Sequence, residues 1–443
     1  MAILAPTAIP KITTLTNGLR VATIPIQSEL STIGIWVKSG SIYENAKNNG
    51  TAHYLEHMIF RGNEKYPQSQ LEEIADLKGI NLRAATTRTT TSFSAKISNN
   101  NFGLAADIIS QIVLNPRIAK TDVENERYTI LTEEYEVKHN YSETLWDLLH
   151  SLAFEKSPVS FPILGTKDTI TSISAEMIKE HHEKFFNPSN CIFVCATNME
   201  HEKCVEHIDK ATTFIKKRPP LNIDAIDNSV KVDFTPNVRM FSSNFLDRSW
   251  MSCGVEAPCA SSVDFPTCQL MKEAIGTVEP ELSMESSPLL KSAAVDQVTL
   301  HYQPYGRSGI LGFLGYTQFG REQEWLNSVI NSITKATVEI TEENLKMAKN
   351  RAKYVLAKNL SSSFCVADEL GINLHLVGKW RSINEWNEIF EKITKESLSD
   401  FAMGYFYKKT PACALIVKAQ QQQEQAQQQQ PAQQQQKSKI IRP

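Results

Sequence analysis

The sequence contains no apolar run approaching the roughly 20 residues that a membrane-spanning helix needs, and none of its eight cysteines forms a Cys-x-x-Cys pair. The first absence leaves no candidate for a transmembrane helix. The second removes the common cysteine zinc frameworks and the thioredoxin-like redox motif. Cys191, Cys195, Cys204, Cys253, Cys259, Cys268, Cys365 and Cys413 are scattered, most of them in apolar contexts such as "CIFVCAT". They are expected as buried, reduced thiols in a reducing compartment. An excess of basic charge is missing too. Lys and Arg total 46 against 49 Asp and Glu, a net charge of −3, so no surface for nucleic acid is implied. The opening "MAILAPTAIPKITTLTNGLRVATIP" lacks the early positive charge and apolar core of a secretory signal and the arginines of a mitochondrial presequence. Targeting information is expected elsewhere, or in a segment that this chain does not carry.

What is present is ordinary globular material: 443 residues, 41 % hydrophobic and 21 % charged. That length suggests two or three domains. "GLRVATIPIQSELSTIGIWVKSG" reads as two strands and a turn, "TAHYLEHMIF" as a helix, and "QSQLEEIADLKG" as a second helix stopped at Gly79. "INLRAATTRTTTSFSAKIS" is a strand or strand pair, "NFGLAADIISQIVLN" an apolar helix, Thr121 to Val137 a long helix and "SNCIFVCATN" a buried strand. "KKRPPLNIDAIDN" has the charge, paired prolines and weak periodicity of a linker. Beyond it strands ("ILGFLGYT") again mix with helices ("NLKMAKNRAKYVLAKN", "INEWNEIFEKIT"). The expectation is an α+β fold of two similar mixed-sheet-plus-helix domains, residues 1–215 and 231–418, joined by a linker at 216–230. No sequence repeat relates them. Residues 419–443, dominated by "QQQEQAQQQQPAQQQQ", cannot bury a core and are expected as a disordered tail.

One helix carries chemistry. At 100° per residue, His53, Glu56, His57 and Phe60 of "TAHYLEHMIF" share one stripe, while Leu55, Met58 and Ile59 face elsewhere and can be buried. Two imidazoles at i, i+4 are close enough to hold one ion, and neutral imidazole suits Zn²⁺. Glu56 is then placed to accept a proton from an attacking water. This His-x-x-Glu-His order inverts the more common zinc-protease motif. The bland alternative is a solvated helix face with two ordinary histidines. A third ligand is required, and "ENERYTILTEEYEV" offers Glu124, Glu126, Glu133, Glu134 and Glu136. Glu126 and Glu133 lie two turns apart on a face flanked by Ile130 and Val137. Spacing alone does not choose among the five.

The stretches "LTNGLRVATIP", "GTAHYLEHMIFRG", "ERYTILTEEYEV", "YGRSGILGF" and "GKWRS" resemble the M16 peptidases, the pitrilysin-like inverzincins with a LuxS-like metallohydrolase fold. Within that family the residues are most similar to β-type subunits of mitochondrial processing peptidases, and the resemblance runs from about Thr14 to Lys418. It implies one zinc ion per chain held by His53, His57 and Glu133, with Glu126 supporting the site from behind and Glu56 as general acid and base. It implies that Glu143 and Asp147 of "YSETLWDLLH" grip an arginine of a basic presequence peptide. An alternative for Glu143 is a capping-box partner of Asn140. It implies that Phe60 walls the residue after the scissile bond, simple core packing being the alternative, and that Tyr305 reaches the zinc as an oxyanion donor, a packed tyrosine being the alternative. The strand after Gly79 is implied to pair with extended substrate. There the chain reads "LRAAT" where relatives tend to have "LNAYT", so Arg83 stands as a possible source of repulsion toward basic peptides.

The resemblance implies a zinc endopeptidase that removes presequences in the mitochondrial matrix or the lumen of a mitochondrion-derived organelle. The chain would form half of a clamshell, completed by an α-type subunit with a glycine-rich loop or by self-association. "EAIGTVEPELSMESSPLLKS" is not glycine-rich, which matches the β type. Two rivals stand beside this reading. A core-type structural subunit of respiratory complex III is disfavoured by the intact motif. A general oligopeptidase is disfavoured by length.

Overall fold

The computed structural model describes residues 3–244, 246–276 and 296–419. The expected Gln-rich tail and most of the glycine-poor stretch lie outside the described residues.

Two sheets organise the chain. The first has strand order β1-β2-β6-β3-β5-β4 and is built from β1 (Lys11–Thr14), β2 (Arg20–Pro25), β3 (Leu30–Val37), β4 (Asn81–Thr86), β5 (Thr91–Ser98) and β6 (Cys191–Thr197). The second has order β7-β11-β8-β10-β9, from β7 (Val238–Ser243), β8 (Ser249–Ala257), β9 (Gln297–Pro304), β10 (Gly309–Thr317) and β11 (Ala412–Lys418). In each sheet one pair is parallel, β2 with β6 and β7 with β11, and the remaining pairs are antiparallel. The duplication that no sequence repeat betrays is therefore visible in the strand order. β4 and β9 occupy equivalent edges.

β3 is a central strand, and "LSTIGIWV" is buried along nearly its whole length, as a strand covered on both faces must be. Ile33, Ile35 and Val37 join a core beneath the helices α1 (Thr51–Ile59), α2 (Gln68–Lys78) and α3 (Phe102–Leu114). Trp36 faces the other way. β4, at the edge, alternates exposed and half-buried residues. The expected glycine stop of α2 is met, since Gly79 takes the left-handed conformation at φ 62°.

Each sheet is roofed by a helix from the other half of the chain. Helix Ser363–Leu376 lies on β3 and β6, packing Val366, Leu370 and Leu374 against Ile24, Trp36 and Ile192. The approach is so close that a Cβ on Gly371 would sit 2.4 Å from the Trp36 ring. Trp36 donates its indole N–H to Asp368 at 2.9 Å, and its carbonyl accepts from His375 at 2.9 Å. Reciprocally, after α4 (Lys120–His139), α5 (Tyr141–Ala153) lies on β8, β10 and β11. Leu149 meets Ile310 and Ala412 there. The stretch read as a linker contains a short helix, Ile223–Ser229, whose Asp227 pairs with Lys38 and accepts from the Tyr43 hydroxyl at 3.0 Å.

One expectation about cysteine is corrected. Cys253 and Cys413 face each other in register across β8 and β11, with Cα atoms 4.2 Å apart, and are joined as a disulfide. They are 160 residues apart in sequence, so only strand register brings them together. The other six are free thiols, four of them buried.

Candidate metal centre

α1 buries Tyr54, Leu55, Met58 and Ile59 in the first core, which turns the opposite stripe toward α4. On α4, Ile130 is fully buried and Glu126 is 6 % exposed, so the inward face inferred from spacing is the observed one. Here His53, His57 and Glu133 converge, and their ligand atoms all lie within 4.8 Å of one another. Among the described residues this is the one cluster of three or more such side chains with metal-binding geometry.

The geometry fits zinc. His53 Nε2 and His57 Nε2 stand 3.6 Å and 3.2 Å from Glu133 Oε2. Tetrahedral ligands with bonds near 2.05 Å are about 3.3 Å apart. The tautomer of His57 sharpens the case. Its Nδ1 donates to Glu126 Oε1 at 2.9 Å, so Nε2 turns a lone pair toward a carboxylate oxygen unless a cation or proton lies between. Burial alone would lower the His57 pKa, but the hydrogen bonds to Glu133 and Glu126 outweigh it and raise it above the ordinary value. Hydrogen bonds to His53 and then His57 hold the Glu133 carboxyl far below its usual range. Glu126 is also paired with Arg61, and these partners overcome its desolvation to leave it an anion.

Glu56 sits beside this cluster, half-buried, and its Oε2 accepts from Thr86 Oγ1 at 2.5 Å. Thr86 ends β4, so the candidate base is tied to the edge strand of the sheet. Phe60, at the C-terminal end of α1, is partly exposed and belongs to none of the buried clusters, which disfavours simple core packing. Arg83 does not face the site. Leu82, Ala84 and Thr86 share the face of β4 toward α1, whereas Arg83 points oppositely and lays its guanidinium 5.2 Å from the Phe364 ring centroid. The feared repulsion is directed away from the metal cluster.

Glu143 and Asp147 line a cleft of about 320 Å³ between α5 and the second sheet, with Arg88, Trp146, Trp250 and His301. Glu143 Oε1 accepts from the Asn140 side chain at 2.7 Å, a version of the capping alternative. Asp147 accepts from Arg88 at 2.6 Å. Tyr305 is not brought to the metal cluster. It is fully buried in the seam under α5, where His150, which donates Nδ1–H to the Trp146 carbonyl, accepts the tyrosine hydroxyl at 2.7 Å. The expectation of an oxyanion donor is corrected for this conformation, because that hydroxyl is committed to His150.

Three contributors were missed in the sequence. Arg61 and Thr86 carried no motif. Glu44, buried ahead of α1, could have been suspected, because Gly50 at the N-cap position has no side chain with which to cap the helix.

Two family models match the chain: Insulinase (Peptidase family M16) over residues 20–167, and Peptidase M16 inactive domain over residues 172–352. The chain belongs to peptidase family M16, whose members are zinc-dependent, and the His53, His57 and Glu133 cluster is consistent with that ion. Among curated relatives it is 25 % identical to a probable mitochondrial-processing peptidase β subunit of Arabidopsis thaliana, over 92 % of this chain and 78 % of the relative. It is 24 % identical to cytochrome b-c1 complex subunit 1 of Mus musculus, over 91 % of this chain and 85 % of the relative. A protease from Helicobacter pylori shares the fold at a TM-score of 0.82 and 19 % identity, covering 93 % of this chain and 100 % of that one.

Proposed function

We propose that this chain is a zinc endopeptidase that removes basic N-terminal presequences from proteins imported into the mitochondrial matrix or an equivalent lumen. The observation that carries the reading is the convergence of two imidazoles and a carboxylate, with Glu56 alongside, next to a strand edge that is unpaired among the described residues.

When bound, zinc supplies Lewis acidity that makes water a nucleophile near neutral pH. His53, His57 and Glu133 would hold it, and Glu126 keeps His57 in the tautomer that presents Nε2. Glu56 takes the proton of the attacking water and returns it to the leaving amine. The outer edge of β4 pairs with no strand among the described residues, so an extended peptide can add there through its backbone. Backbone pairing tolerates varied sequences, which suits presequences. Phe60 walls the residue beyond the scissile bond. Glu143 receives a substrate guanidinium, with Asp147, already paired to Arg88, beside it. A separate subunit bearing a glycine-rich loop, or a second copy, would complete the chamber.

A second reading, a structural subunit of a respiratory complex, is favoured by the mouse relative, which is nearly as similar as the plant one. Retention of all three metal-binding side chains and Glu56 weighs against a role without catalysis.

The deciding experiment is cleavage of a presequence peptide by the purified chain, with and without an α-type subunit, comparing native protein with Glu56→Gln. Removal of a general base of this kind lowers kcat by about 10²–10⁴-fold. Activity that survives the change overturns the mechanism.

A further inference from the structure

Glu44 is 4 % exposed and lies ahead of the first turn of α1. Its Oε1 accepts the Ala52 N–H at 2.7 Å, and its Oε2 accepts the Gly50 N–H at 2.8 Å and the Asn49 side-chain amide at 3.0 Å. All three donors are neutral. An ionised carboxylate buried without a cation is strongly unfavourable, and the helix N-terminus offers only about half a positive charge. Burial accordingly pushes the Glu44 carboxyl above its ordinary range, and the hydrogen bonds from Ala52, Gly50 and Asn49, with a smaller contribution from His53, only partly oppose this. The Ala52 amide that it accepts belongs to the residue just before His53, the third residue of α1.

The two histidines of the cluster are supported differently. His57 has Glu126, whose charge is already matched by Arg61. His53 Nδ1 is buried with no hydrogen-bond partner among the described residues. The first turn also has an anchor independent of charge. Asn49 donates to the Pro162 carbonyl at 2.9 Å, and Gly50, at φ 96°, fits against the Leu164 carbonyl, which a Cβ would approach to 2.6 Å.

We infer that Glu44 is a positioning residue for the metal, a buried anion whose counter-charge is the dication held by His53, His57 and Glu133. It thereby favours the loaded state and holds His53 in place through charge rather than through a hydrogen bond. The inference rests on the zinc reading above.

The test is zinc affinity of the full chain by competition with a chromophoric chelator, with thermal unfolding in zinc and in EDTA as the second readout. Native protein binds one zinc, and His53→Ala abolishes it. In Glu44→Gln, affinity falls by about 10–100-fold, the usual loss when an outer partner of a metal ligand is removed, and the rise in Tm on adding zinc shrinks. A residue that merely braces the helix would lower Tm equally with and without zinc and leave affinity unchanged; that result overturns the inference and spares the zinc reading. Absence of zinc binding by native protein overturns both. Should Glu44→Gln fail to fold, Glu44→Asp keeps the charge on a shorter arm. Affinity less than about tenfold below native, under the range for a lost outer partner, supports the assignment. A larger loss shows that reach and not charge matters, and sinks it.

Discussion

Arg88, 5 % exposed, donates to Asp147 at 2.6 Å from the turn between β4 and β5, and a second donation from its Nε reaches the Val159 carbonyl at 3.2 Å. The β4–β5 edge of the sheet is thereby tied to α5, and one of the two carboxylates expected to grip substrate already has a cation.

The two acids should consequently respond differently to substitution. Asp147→Asn leaves the Arg88 charge poorly compensated and is expected to cost about 1.5–3 kcal/mol, the worth of a charge-assisted hydrogen bond, read as a shifted urea midpoint. Glu143→Gln, at a partly solvated position, should leave that midpoint nearly unchanged and lower kcat/KM for arginine-containing peptides over lysine-free, arginine-free ones. A ratio of kcat/KM between the two peptide classes unchanged from that of native protein would remove Glu143 from the substrate site.

Glu126→Gln keeps an acceptor for His57 but deprives Arg61 of its anion. Zinc affinity is expected to fall by about 10–100-fold, measured by chelator competition, with only a small change in helix content. Unaltered affinity would show that the charge of Glu126, as distinct from its hydrogen bond to His57, does not strengthen the ligand.

Protons and zinc compete for His57. Its pKa in the metal-free fold is raised, so protonation stabilises that fold below the unfolded-state value, and the stabilisation is lost as pH rises through the folded value. Zinc takes the same nitrogen, so its affinity should climb with pH across that window.

Burial acts oppositely elsewhere. It lowers His181 to about 3, His182 to about 4 and His375 to about 3. Their contribution is present above the unfolded value near 6.5 and is lost as pH falls below it. Three such groups outweigh His57, so the EDTA-treated protein should have a lower urea midpoint at pH 5 than at pH 7. A midpoint that rises on acidification contradicts this.

Gly371→Ala drives a methyl into the Trp36 ring. Overpacking of this kind costs about 1–3 kcal/mol, and differential scanning calorimetry should register a lower Tm with unchanged zinc affinity.

Much of this was legible beforehand, for identifiable reasons. The His-x-x-Glu-His stripe is local, so helical period alone placed His53, Glu56 and His57 together, and α2 ended where its glycine said it would. Glu133 needed the family resemblance, because five glutamates fit the spacing. What escaped was non-local. The Arg61 pair with Glu126, the Thr86 bond to Glu56, the Cys253 pairing with Cys413 and the burial of Tyr305 against His150 all depend on register or on packing between distant segments. The exchange of roofing helices escaped for the same reason, since an apolar helix face does not announce which sheet it will cover.

That exchange constrains motion. Because α5 caps the second sheet and Ser363–Leu376 caps the first, prising the halves apart would strip both interiors at once, and scission in the 216–230 segment should leave two fragments still clasped. Under the proposed function, access of a peptide to the β4 edge would then be set by what lies outside that edge rather than by flexing between the two halves.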